Sequence, residues 1–141
     1  MRVYIDTSAA VKLMKEEPCS QDMEGFANDP HVELVSSTLT ETELRRAATR
    51  NGEPQERAAE VLSRISLAEI TRADYRLAGI LPGENLRSLD ALHLQMASSL
   101  EADFVVTYDL RMINAALRVF GIPVIHPGFE PDMAALAGST V

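Results

Sequence analysis

Four acidic residues spread along the chain, Asp6, Glu43, Asp90 and Asp109, are the side chains best suited to chemistry. If they share one crevice, their carboxylates repel one another strongly at low dielectric. Such a cluster must take up either protons or a cation. An all-oxygen ligand set without His or Cys suits Mg2+ or Mn2+ rather than Zn2+. Mg2+ keeps several waters and works characteristically with phosphate substrates. There it can generate a hydroxide-like nucleophile and clamp the oxygens of an in-line displacement. Each acid also has a local role open to it. Acids at helix starts cap free N–H groups and complement the helix dipole, and that is the commoner role for any one of them. Thr40-Glu41-Thr42-Glu43 has the form of a capping box, Asp109 of an N-cap, and Asp90 of a first-turn acid.

The elements around these acids decide whether they can meet. Val3-Tyr4-Ile5 is a short apolar run stopped by Asp6-Thr7-Ser8, which predicts a buried strand followed by helix-capping residues. Helices are expected over 9–15 and 23–27, closed by Pro18 and by Asp29-Pro30. A strand is expected over 32–36, then a helix over 40–50 ended by Asn51-Gly52 and another over 54–63. A strand over 65–70 and a helix over 71–79 follow. Leu81 to Asn85 is a loop, and 88–100 is a helix in which Leu89, Leu92, Met96 and Leu100 keep helical spacing. Phe104 to Thr107 is a strand, 110–120 a helix stopped at Gly121, and 123–125 a last strand. Residues from about 128 to 141 read as a loosely packed tail. Strands alternating with helices imply an α/β fold: one domain over residues 1–141, a parallel sheet with helices on both faces. In such sheets ligands bind at the carboxyl ends of the strands. Asp6 and Asp109 fall directly at that edge. Glu43 falls in the first turn of a helix that starts there. Spacing alone does not bring the turn carrying Asp90 to the same crevice.

Composition sets the remaining bounds. The chain has 141 residues, 46% of them hydrophobic, which fits one globular core. No apolar run approaches the roughly 20 residues of a membrane span, and Asp6 comes too early for a signal peptide, so a cytoplasmic protein is expected. Cys19 is the single cysteine, which excludes an intrachain disulfide and a thiolate metal cage. The net charge of −8 disfavours nucleic-acid binding on its own. Against that, 11 of the 13 basic residues are Arg, the side chain suited to gripping phosphate through two hydrogen bonds.

Four segments, in order, resemble the motifs of PIN-domain ribonucleases. They are Tyr4-Ile5-Asp6-Thr7-Ser8-Ala9, Thr40-Glu41-Thr42-Glu43-Leu44-Arg45-Arg46-Ala47, Leu89-Asp90-Ala91-Leu92-His93-Leu94, and Ala102 through Thr107-Tyr108-Asp109-Leu110-Arg111-Met112. Size and pattern are similar to the VapC toxins of bacterial toxin–antitoxin pairs. The resemblance implies a Mg2+- or Mn2+-dependent endoribonuclease acting on structured RNA such as tRNA or rRNA and leaving 5′-phosphate and 3′-hydroxyl ends. It also implies neutralisation by a VapB-type antitoxin, and frequently a homodimer. It maps the metal-site acids onto Asp6, Glu43, Asp90 and Asp109, with Asp6 and Asp90 as anchors. Thr107 corresponds to the family's hydroxyl residue within the acidic site. Glu41 competes with Glu43, and the Leu44-Arg45 that follows favours Glu43.

Other residues are weighed against duller roles. His93 is expected to pack or cap rather than bind metal, because the ligand set is otherwise all oxygen. Cys19, His31 and His126 read as bystanders, and Tyr75 and Tyr108 as packing aromatics rather than base-stacking platforms. Arg45, Arg46, Arg50, Arg87 and Arg111 flank the motifs. Arg87 and Arg111, beside Asp90 and Asp109, are the better candidates to hold substrate phosphates. Apolar patches on 9–15 and 23–27 suggest a groove for an antitoxin helix. A haloacid-dehalogenase-type phosphotransferase would need an Asp where Ser8 stands, and a response-regulator receiver would need a late Lys that this chain lacks. The competing reading from another class is a non-catalytic module whose acidic cleft takes a basic peptide. Divalent-dependent RNA cleavage separates the two. An antitoxin tail that places an Arg in the acidic site would satisfy both.

Overall fold

The apolar run at the start of the chain becomes the middle of a sheet. In the computed structural model, which describes residues 1–83 and 85–130, strand β1 (Arg2–Ile5) carries Val3, Tyr4 and Ile5 with no exposure at all. An uninterrupted apolar run is what a strand covered on both faces requires. Around it lie β2 (Glu33–Ser37), β3 (Ser66–Ala68), β4 (Phe104–Val106) and β5 (Val124–Ile125) in the order β3-β2-β1-β4-β5. All four pairings are parallel. The chain steps outward from β1 through β2 to β3, then returns to the other side of β1 for β4 and β5. The strand order therefore reverses between β1 and β4, and a crevice opens there at the carboxyl edge.

Helices cover the two faces. Val3 and Ile5 pack with α1 (Thr7–Met14), α2 (Ser20–Ala27), α3 (Thr38–Arg50) and α4 (Gln55–Leu62) through Ala9, Met14, Met23, Leu44, Ala47 and Val61. Tyr4 points to the opposite face and packs with Val35, Val105, Met96 and Ala97, the last two from α6 (Ser88–Ser99). Helix α5 (Arg72–Gly79) lies along α6. It opens with a reciprocal capping box between Thr71 and Asp74, and Gln95 donates to Asp74. Helix α7 (Leu110–Ala115) runs into one π-helical turn (Ala116–Phe120), which stops at Gly121 in the left-handed region. The α/β architecture with a parallel sheet covered on both faces is the expected one. The differences lie at element ends: the third strand spans three residues rather than six, and the last expected helix changes its winding halfway.

The chain beyond β5 is tied back to the strand–helix junction after β4. The Tyr108 hydroxyl donates to the Pro127 carbonyl at 2.8 Å, and the rings of Tyr108 and Phe129 lie 6.3 Å apart. The expected loose tail is thus packed at its first residues, and positions 131–141 lie outside the described residues. Gly128 sits at φ +80°, and a Cβ there would overlap the Asp22 carboxylate. Gly128→Ala is therefore expected to destabilise the fold by about 1–2 kcal/mol from backbone strain and displacement of Asp22. Thermal unfolding checks this, with Asp22→Ala in the same background expected to relieve the overlap with the carboxyl atoms but not the 2.8 Å approach to Asp22 Cβ. An unchanged melting temperature would show that the turn accommodates a side chain at residue 128 without strain.

The apolar residues of α1 and α2 expected to line an antitoxin groove are shared between the core and the surface. Met14 and Met23 are buried, and Val11, Leu13 and Phe26 are partly buried against the core. Among the described residues the exposed large apolar side chains are Met1, Tyr75, Leu77, Ile80, Leu89 and Leu117, none of them on those two helices. Nor is any described helix long and apolar enough to cross a membrane.

Candidate active site

The site is built on the two strands that flank the topological switch. Asp6 follows β1 and caps α1; its Oδ1 accepts from the Ala9 amide at 3.1 Å and from the Ser8 hydroxyl at 2.7 Å. Its other oxygen, Oδ2, accepts from the Thr107 hydroxyl at 2.5 Å across the switch. Thr107 is fully buried, and its Oγ1 also accepts from the Asp109 amide at 3.1 Å. One hydroxyl thereby joins the acid after β1 to the acid after β4. Ser8 closes the same ring: its oxygen lies 3.2 Å from Thr107 Oγ1 and accepts from the Tyr108 amide at 2.9 Å. Asp109 is exposed and caps α7, accepting from the Arg111 amide at 2.9 Å.

Glu43 reaches this region by a route that its spacing concealed. Helix α3 begins at Thr38, not at residue 40, with Ser37 as an N-cap whose side chain makes no capping bond. Glu43 therefore lies in the second turn, not the first, and the capping box from Thr40 does not form. Thr40 is buried instead, with its hydroxyl 2.6 Å from that of Ser36. Glu43 Oε1 accepts from the Thr7 hydroxyl and pairs with His93 Nε2, both at 2.7 Å. Glu41 turns away to pair with Arg45 at 3.2 Å.

Asp90 stands in the first turn of α6, and its Oδ2 is a buried side-chain oxygen with no hydrogen-bond partner among the described residues. Buried oxygens are almost always satisfied, so an orphan of this kind calls for an explanation. Burial raises the Asp90 carboxyl above its ordinary range. The negative charges of Asp109 and Asp6 push the same way, while Arg111 and His93 pull it back. Burial likewise raises Asp6, against the lowering effects of His93, Ser8, Thr107 and the Ala9 amide. Glu43 differs: burial raises it, but the hydrogen bonds from His93 and Thr7 outweigh burial and hold it below its ordinary value. The structure thus couples Asp90 electrostatically to both Asp6 and Asp109.

The two arginines differ in placement. Arg111 is exposed and close enough for its charge to favour ionised Asp90. Arg87 is exposed at the N-cap of α6 and makes no side-chain cap bond. Sequence reasoning did not single out Thr7, Ser8, Tyr4 or His93 as parts of this network. Thr7 and Ser8 carried a visible signal, hydroxyls directly after an acid at a strand end, but capping explained it fully.

Residues 3–117 of the chain match the PIN domain family. The chain belongs to the PIN-domain family. Within it, Ribonuclease VapC46 of Mycobacterium tuberculosis (strain ATCC 25618 / H37Rv) is 38% identical over 128 residues, covering 89% of this chain and 97% of that protein. Ribonuclease VapC47 of Mycobacterium tuberculosis (strain CDC 1551 / Oshkosh) is 32% identical over 133 residues with the same two coverages. These identities put this PIN domain among the VapC proteins. The fold matches solved structures at lower identity. The Mycobacterium tuberculosis VapC20 toxin, described as cleaving the sarcin-ricin loop, superposes with a TM-score of 0.67 at 12% identity, over 86% of this chain and 98% of that one. A toxin–antitoxin complex from Klebsiella pneumoniae gives 0.66 at 20% identity, over 92% and 99%.

Whether the acids of this PIN domain fit a divalent cation turns on two observations. Among the described residues no three His, Cys, Asp or Glu side chains stand close enough to form a ready-made metal cage. The orphaned Asp90 oxygen and the all-oxygen donor set nonetheless fit an ion that keeps part of its own water. Mg2+ is bound in that way, through one or two carboxylates rather than a closed protein cage. Acids that repel one another have no reason to close up before a cation arrives.

Proposed function

We propose that this chain is a divalent-metal-dependent endoribonuclease of the VapC kind, with Asp6, Asp90, Asp109 and Glu43 as the metal-holding acids. The observation that carries the proposal is the buried, unpartnered Asp90 oxygen, electrostatically coupled to Asp6 and Asp109 at the switch between β1 and β4. Mg2+ or Mn2+ bound there supplies an activated water and charge stabilisation at the scissile phosphodiester. Thr107 fixes the Asp6 carboxylate and the start of the Asp109 turn relative to each other. Ser8 holds the second oxygen of Asp6. Arg111, beside Asp90, is placed to take a phosphate of the RNA backbone, and Arg87 is the second candidate for that contact. Structured RNA is the expected substrate, tRNA and rRNA being the leading classes. A VapB-type antitoxin is the expected protein partner, a homodimer the expected assembly, and the cytoplasm the expected compartment. The relatives' names and the toxin–antitoxin complexes among the fold neighbours support this reading.

The test is cleavage of an end-labelled structured RNA by the purified chain. Cutting is expected with Mg2+ or Mn2+, to stop with excess chelator, and to return when Mn2+ is added back. Equal cutting with and without chelator would overturn the metal-dependent reading. Absence of cutting in every divalent metal, combined with tight binding of an arginine-rich peptide, would instead favour the non-catalytic acidic cleft.

A further inference from the structure

His93 is buried, one helical turn beyond Asp90 on α6, and both of its ring nitrogens are engaged. Nδ1 lies 2.7 Å from the Tyr4 hydroxyl and Nε2 lies 2.7 Å from Glu43 Oε1. The Tyr4 and His93 rings meet edge to face at 5.8 Å between centroids. Tyr4 is itself immobile: it is fully buried in the central strand, and its hydroxyl lies 3.2 Å from Ser37 Oγ. A ring held at both nitrogens and against an aromatic edge has a single orientation available.

The consequence falls on Glu43. Its side chain is long and about a quarter exposed, and left alone it would sample several rotamers. Here Oε1 is held from two sides, by the Thr7 hydroxyl and by His93 Nε2, which must carry the proton to bond a carboxylate. Both hydrogen bonds fall on the same oxygen, so Oε2 is left for another partner. Metal-ligating carboxylates are oriented in this way by groups behind them. A purely structural strut between α6 and α3 would use the same bonds, and it predicts a loss of stability without a loss of metal affinity.

We propose that His93, backed by Tyr4, is a positioning residue that fixes Glu43 through Oε1 so that Oε2 is presented to the divalent cation or its water shell. The proposal rests on the reading of Glu43 as a metal-holding acid. It assigns a task to two buried polar residues that the cleavage reaction does not otherwise use.

The test is Mn2+ binding by the folded chain, read by electron paramagnetic resonance or calorimetry, beside single-turnover RNA cleavage. His93→Leu removes both hydrogen bonds at similar volume and is expected to weaken Mn2+ binding about 10-fold or more, within the ~10–100-fold typical of such supporting groups. It should lower kcat while leaving KM for RNA nearly unchanged. His93→Gln, which retains an N–H donor toward Glu43, is expected to recover most of the affinity. Tyr4→Phe, which removes the bond to His93 Nδ1 together with the contact to Ser37 Oγ, is expected to weaken binding less than His93→Leu. Should His93→Leu not fold, the contrast between Tyr4→Phe and His93→Gln carries the test. If Glu43→Gln weakens Mn2+ binding and neither His93→Leu nor Tyr4→Phe does, the positioning role is overturned and the reading of Glu43 stands. If Glu43→Gln binds Mn2+ like the parent while Asp6→Asn does not, the assignment of Glu43 falls and this proposal with it. If the parent binds no Mn2+ at all, the metal-dependent reading itself is lost.

Discussion

Asp6→Asn is expected to abolish divalent-dependent RNA cleavage while raising the melting temperature of the metal-free protein. The two effects have one cause. Asp6 is 5% exposed and sits at the switch point with Asp90 and Asp109 sharing its field. Holding several carboxylates together serves a cation and harms the empty protein. Losing one anchoring charge should cost several kcal/mol of transition-state stabilisation, on the order of a 10³-fold fall in rate. Burial raises the folded-state pKa of both Asp6 and Asp90, so the metal-free folded state holds protons more tightly than the unfolded chain. The favourable contribution is complete below the ordinary carboxylate range and is lost as pH rises through the raised values. Glu43 is shifted the other way, and its contribution is already complete above the ordinary Glu range, so it does not change between pH 5 and 8. The metal-free parent should therefore melt progressively lower as pH rises above the ordinary carboxylate range, and Asp6→Asn should flatten that slope. Well above that range the variant should melt higher than the parent. Thermal melts in chelator across and above that range, beside cleavage assays in Mg2+, check both halves. Parental cleavage by the variant, or a lower melting temperature with an unchanged pH slope, would remove Asp6 from the role given to it.

How far these arrangements were legible in the sequence depended on the kind of interaction involved. Asp6 and Asp109 were placed at the sheet edge by two apolar runs that stop at polar residues, because in a parallel sheet the end of a strand is also a position in space. Glu43 was harder, since its meaning depends on where α3 starts. A start at residue 40 makes it a capping partner. A start at Thr38 rotates it by about 200° and puts it in the second turn, facing Thr7 and His93. Local pattern does not decide between starts two residues apart. Tyr4 and His93 were illegible for a different reason. Their bond joins residues 89 positions apart, and each alone satisfies the apolar pattern of its element, Tyr4 in a strand and His93 in a helix. A polar network assembled from residues that individually read as core leaves no periodic trace. The apolar patches on α1 and α2 divide in a way that short helices do not reveal in sequence: Met14 and Met23 fill the core, while Val11, Leu13 and Phe26 are only partly buried.

Thr107→Val should cost both stability and activity, although it exchanges groups of nearly equal shape at a fully buried position. The hydroxyl it removes serves two clients at once. Without it Asp6 Oδ2 loses its donor and the Asp109 amide loses its acceptor. Leaving a buried group unsatisfied costs about 1–3 kcal/mol, and a charged one lies toward the upper end. The Asp6 carboxyl, already raised by burial, loses one of the hydrogen bonds that lower it and so moves further up. The sign of the pH effect follows. The metal-free variant should lose more stability than the parent as pH rises above the ordinary carboxylate range, the reverse of Asp6→Asn. Cleavage should fall by on the order of 10²-fold, because the acids after β1 and β4 lose the group that fixes their relative position. Thr107→Ser keeps the hydroxyl and gives up only a methyl group, so it should retain the parental pH slope and most of the cleavage rate while costing about 1 kcal/mol. If Val and Ser behave alike, the hydroxyl is not the link between the two acids. If only Val loses activity and steepens the slope, one buried oxygen couples Asp6 to Asp109 across the switch point.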